Sequence, residues 1–137
     1  MPLHPRIATY LGLQGLLVLA WWAGLHVSPD FRALFLPPGM PDAQLMAFGL
    51  PDLGLAAAGS LACAAGLLRG RRWSSPLLWA LAGAMSYAAL YCLALSLLTG
   101  GAWAASLLML PAMLLTLGSA LLHARSSTLH APGRRSA

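Results

Sequence analysis

Four long apolar runs dominate the chain, at residues 7–27, 51–68, 76–98 and 102–122. At about 1.5 Å of rise per residue, each reaches across a hydrocarbon layer of roughly 30 Å, the second, whose uncharged part is 53–68, once residues 50–52 are counted with it. The polar breaks between the second and third runs and between the third and fourth are short, so consecutive helices must turn straight back. This pattern predicts an all-α membrane protein, an antiparallel bundle of four transmembrane helices forming one domain over residues 1–125. Residues 126–137, small, polar and arginine-bearing, are expected to form a disordered cytoplasmic tail. The first run follows His4 and Arg6 as a signal peptide would, but its far end, Trp21-Trp22-Ala23-Gly24-Leu25-His26, offers no small-x-small cleavage site, so it reads as a signal anchor.

The connection between the first two runs is long, and it repeats one helix-start signal three times: Ser28-Pro29-Asp30, Met40-Pro41-Asp42 and Leu50-Pro51-Asp52. Proline at the first helical position and an acid in the first turn both suit a helix N-terminus. Two short interfacial helices are therefore expected in the outer loop, over 29–36 and 41–49, with Pro37-Pro38-Gly39 as the turn between them. Their residues Phe31, Leu34, Phe35, Leu45, Met46 and Phe48 would lie against the membrane surface or cap the bundle.

Composition supports the same solvent. Hydrophobic residues make up 59% of the chain and charged residues 8%, against about 25% charged in a soluble domain. The mean hydropathy is +0.74. The net charge of +5 comes from eight arginines and three aspartates, with no lysine and no glutamate. Its placement sets orientation: Arg6, Arg69, Arg71, Arg72, Arg125, Arg134 and Arg135 fall on one side of the bundle, and Arg32 with Asp30, Asp42 and Asp52 on the other. The arginine-rich side is retained in the cytoplasm, which puts both termini there and residues 28–51 outside. Arginine as the sole basic residue and the richness in Ala, Leu and Gly favour a bacterial inner membrane. The basic residues flank apolar runs instead of forming a water-facing stripe, so no nucleic-acid partner is expected.

Helices in lipid associate through close backbone approach and polar contacts. Gly54, Ala58, Ala62 and Gly66 recur every four residues in the second span, Ala112, Thr116 and Ala120 do so in the fourth, and Ala82, Ala89, Cys92 and Ser96 share a sector of the third. These read as packing surfaces, with one stripe left for a membrane-protein partner or a second copy. Pro111 removes a backbone donor in mid-helix and is expected to bend the fourth span.

Candidate chemistry is sparse. The spans carry no Asp, Glu, Lys, Arg or His away from their ends, unlike the small multidrug transporters with their embedded glutamate. Cys63 and Cys92 lack metal-ligand spacing, His26 and Asp30 are separated by Pro29, and Met109 and Met113 at helical spacing, with Met85 and Cys92, read as packing instead of a copper site. No metal or cofactor is expected. Gln14, Ser60 and Tyr87 fall near the midplane, with Tyr91 one turn outward. Such groups in lipid need hydrogen-bond partners. They would meet one another or form the polar end of a pocket opening toward Trp22, Trp103 and Asp52, suited to an acyl, isoprenoid, quinone or sterol-like molecule. The reading is a small accessory or scaffold subunit, or a binder of a hydrophobic small molecule, with membrane lipids as its surroundings. The alternatives are an enzyme acting on a lipid-like substrate through Asp52, Asp42 and His26, and an oligomeric transporter or channel component.

Overall fold

The computed structural model describes residues 3–129, all helix and connecting turns. Helix α1 spans Leu3–Val27, and α2 (Pro29–Ala33) follows at once, its first turn capped by Ser28 Oγ accepting from the Phe31 amide at 3.2 Å. After a turn come α3 (Asp42–Met46), α4 (Gly49–Pro51), a π-helical segment η1 (Asp52–Gly59) and α5 (Ser60–Leu68). Helices α6 (Ser74–Thr99) and α7 (Trp103–Leu129) complete the chain. Helix α7 is helical through Pro111 and through residues 126–129 of the expected tail. Residues 130–137 of that tail lie outside the described residues.

Four segments are long and apolar enough to cross a membrane: Leu3–Val27, Asp42–Leu68, Ser74–Thr99 and Trp103–Ser126. The second differs from the sequence expectation. The second short helix, expected over 41–49, is not a detached surface element, because α3 leads through a single turn and α4 into the second span. The π-helical segment was not foreseen. Pro51 supplies no amide donor, and Gly54 and Gly59 impose little steric restriction, so this stretch accepts the wider i→i+5 turn.

Interior and exterior are partitioned in an unusual way. Leucines such as Leu17, Leu97, Leu98, Leu107 and Leu114 lie exposed around the helices, whereas Gln14, Ser60, Ser74, Ser96, Ser106, Thr116 and His123 are buried between them. Buried polar groups must find partners. Ser96 Oγ lies 2.9 Å from Ser106 Oγ and 3.2 Å from the Ala102 carbonyl, joining α6 to the start of α7 across the Gly100 turn. Gly100 takes a left-handed conformation (φ +68°) that ends α6. The Cys63 thiol donates to the Ser74 carbonyl at 3.4 Å.

Two apolar clusters fill the remainder. Ile7, Ala8 and Leu11 pack with Cys63, Ala64, Leu67, Leu78, Leu81, Ala82 and Ala120 near the chain termini. Trp22, Leu25 and Phe35, with Phe31, Leu45 and Met46 around them, fill the end beneath the long connection, here called the cap. Helix α6 pairs most extensively with α7, and α1 with α5 and η1, while α1 meets α7 over only a few residues. That thin seam positions the site.

Candidate ligand site

At the narrow end of the α1–α7 seam lies a polar knot. Tyr10 and Gln14, one turn apart on α1, are joined by a hydrogen bond from the phenol to the amide oxygen. Thr116 Oγ1 on α7 stands 2.9 Å from Tyr10 Oη and 3.0 Å from Gln14 Oε1. Gln14 Nε2 donates to Ser60 Oγ at 3.1 Å, and the Ala112 carbonyl lies 3.1 Å from Tyr10 Oη. The knot links α1, α5 and α7, and it leaves Gln14 buried. Tyr10 was missed by the sequence reading, although its four-residue spacing from Gln14 was a usable signal.

From this knot a cleft of about 610 Å³ runs along the seam. Leu13, Leu17 and Val18 of α1 form one wall, Leu108, Ala112 and Leu115 of α7 the other, with Met85 of α6 behind and Trp21 and Phe31 toward the cap. Leu13, Leu17, Leu108 and Leu115 are all exposed, so the cleft opens on the side of the molecule, among its apolar outer surface.

A second, smaller cavity of about 70 Å³ lies beneath the cap, and Trp21, Leu108 and Met109 belong to the walls of both. Four aromatic side chains line it, Trp21, Phe35, Phe48 and Tyr91, together with Asp52, Gln44 and the thiol-bearing Cys92. Ring contacts brace the lining: Phe48 lies 5.2 Å from Tyr91, and Trp21 meets Phe35 edge-on at 5.4 Å. Asp52 Oδ2 accepts from Trp22 Nε1 at 3.1 Å, which fixes the carboxylate at the start of η1. The cap is fastened above by Arg32, whose Nε donates to Asp42 Oδ2 at 2.9 Å and whose Nη1 donates to the Leu25 carbonyl at 2.6 Å.

The structure therefore distributes the candidate residues over several places. Gln14 and Ser60 meet directly, and Asp52, Trp22 and Tyr91 gather at the cap. Tyr87 joins neither group. It is 71% exposed, because Ala82, Met85 and Ala89 occupy the inward face of α6 and turn Tyr87 outward. Trp103 is also exposed, at the start of α7. Asp42 is engaged by Arg32 and largely exposed, and His26 Nδ1 lies 2.8 Å from the Trp22 carbonyl. His26 and Asp52 each touch Trp22, but Asp42 belongs to the surface staple, so the three do not converge on one point. Among the described residues no group of three or more His, Cys, Asp or Glu could hold a metal ion.

The packing stripes also separate. Thr116 and Ala120 are fully buried and Ala112 faces the cleft. Gly66 is covered by Trp73 and Ser74, but Gly54, Ala58 and Ala62 are exposed. A repeat of four drifts by about 40° per step around an α-helix, so Gly54, Ala58 and Ala62 lie off the face that Ala57, Ser60, Cys63 and Gly66 bury. No family model, no curated protein and no solved structure matches this chain.

Proposed function

We propose that this protein is a multi-pass membrane protein, an antiparallel bundle with both termini in the cytoplasm, that binds a lipid-like molecule in the cleft between α1 and α7. The cleft itself carries the reading. It is apolar along its walls, opens sideways through the exposed leucines of two candidate spans, and ends on the Tyr10–Gln14 knot. A chain-like hydrophobic ligand entering from the bilayer would replace lipid against Leu13, Leu17 and Leu115 without leaving an apolar environment. An inward display of serine, threonine and glutamine with leucine outside suits lipid as the solvent.

Native mass spectrometry of the protein taken gently from its membrane is the test, compared with Leu115→Trp, whose indole would fill the cleft. A retained lipid-like mass that the variant loses supports the reading. A bare wild-type protein, or equal retention by both, overturns it.

The uncovered side of the second span favours a second reading, an accessory subunit. Gly54 has nothing within 4 Å of where a Cβ would stand, and with Ala58 and Ala62 it presents a smooth strip to a partner helix or a second copy. A stoichiometric protein partner in the same spectra, released by Ala58→Leu, would support that role.

A further inference from the structure

We infer that the cavity beneath the cap is a receptor for an ammonium group, which makes the ligand of this protein a cationic amphiphile with its head at Asp52 and its chain in the lateral cleft. The placement of the chain rests on the cleft reading above; the ammonium site does not. Aromatic faces and one carboxylate around a small void are the chemistry that recognises substituted ammonium ions, since each ring offers its negative face to the cation and the carboxylate balances the charge. Here Trp21, Phe35, Phe48 and Tyr91 supply the rings and Asp52 the charge.

Three further features bear on the assignment. The Asp52 carboxylate has one side-chain hydrogen bond among the described residues, from Trp22 Nε1 to Oδ2, while a carboxylate has room for about four. Trp22 is neutral, and Arg32, the arginine of the cap, is committed to Asp42 and to the Leu25 carbonyl. Among the described residues the negative charge thus has no cationic partner of its own, and a half-buried unpaired charge invites one. Finally, a void of about 70 Å³ exceeds the roughly 10–15 Å³ that admits one water on the same measure. That leaves space for a group larger than a water molecule, on the scale of a small headgroup.

The full chain in phosphatidylglycerol nanodiscs, which contain no ammonium headgroup, is titrated with dodecyltrimethylammonium, tetramethylammonium and dodecanol, following tryptophan fluorescence. The expected result is that dodecyltrimethylammonium binds about tenfold or more tightly than dodecanol. Asp52→Asn keeps an oxygen for Trp22 and should lose that margin while its dodecanol binding is unchanged. Phe48→Leu, which preserves volume but removes a ring, should lose a smaller part of it. Equal binding of the two long-chain probes, or an Asp52→Asn protein that still prefers the ammonium, overturns the inference.

Tetramethylammonium separates the sources of the group. Weaker binding than the long-chain ion supports an amphiphile or lipid headgroup. Binding equal to it, and lost in Asp52→Asn, supports a free ammonium ion. Leu115→Trp distinguishes this site from the cleft, because it should abolish dodecanol binding and leave tetramethylammonium untouched. If dodecanol fails to bind any form while tetramethylammonium binds through Asp52, the cleft reading falls and the ammonium site stands.

Discussion

Gln14 is the residue on which the polar interior turns. Its amide takes a bond from Tyr10, stands within reach of Thr116 and donates to Ser60, so three helices depend on one side chain. Gln14→Leu would remove the donor to the buried Ser60 hydroxyl and the acceptor shared by Tyr10 and Thr116, which keep each other and the Ala112 carbonyl, and should destabilise the protein by about 1–3 kcal/mol. Ser60→Ala, which removes a single acceptor, should cost less. Thermal unfolding in detergent checks both, and equal effects would show that the knot does not act through Gln14. At this scale the sequence was partly legible. A glutamine and a serine in apolar runs announce a hydrogen bond, and Gln14 does meet Ser60. Tyr87 was not legible, because the face a residue occupies on a helix apolar all round depends on which neighbours pack there, and periodicity gives little guidance on such a helix.

The elements divide glycines into structural and dispensable ones. A Cβ on Gly15 would stand 2.8 Å from Leu61 Cγ and 3.0 Å from the Ala57 carbonyl oxygen, and one on Gly66 would stand 2.8 Å from Trp73 Cη2 and 3.0 Å from Ser74 Cβ. Gly15→Leu and Gly66→Leu are thus expected to lower the unfolding temperature in detergent by several degrees, through overpacking worth about 1–3 kcal/mol. Gly54→Leu should leave it unchanged, since that position is open. Loss of folding in Gly54→Leu would mean that the strip is covered in the native protein. A four-residue spacing alone made Gly54 and Gly66 look equivalent. They differ because a four-residue repeat drifts around a helix by about 40° per step, and which part of the drifting stripe is covered depends on where Trp73 and Ser74 pack, which hydrophobic spacing does not encode.

For the whole molecule, the asymmetry of arginine predicts which ends face the cytoplasm. With Cys63 and Cys92 replaced, a cysteine at Ala33 should react with a membrane-impermeant maleimide applied to intact cells, and a cysteine appended after Ala137 only after lysis. The reverse pattern would invert the assignment. What the sequence determined by itself is the number and approximate extent of the long apolar helices, since four uninterrupted apolar runs need no tertiary information to be read. The Pro-Asp repeats likewise signalled the helix starts at Pro29 and Asp42, because backbone donors at a helix N-terminus favour those residues locally, whereas the third lies inside a helix already begun at Gly49, where the Asp52 amide bonds to the Phe48 carbonyl. Only the tertiary structure decided that α1 and α7 meet along a thin seam while α6 and α7 pack closely. The same arrangement folded the cap over Asp52 and gathered Trp21, Phe35, Phe48 and Tyr91 around one void. Those residues are scattered from 21 to 91 along the chain. Their meeting depends on helix pairing, and pairing between helices that are apolar on every side is fixed by the fit of side chains across each seam.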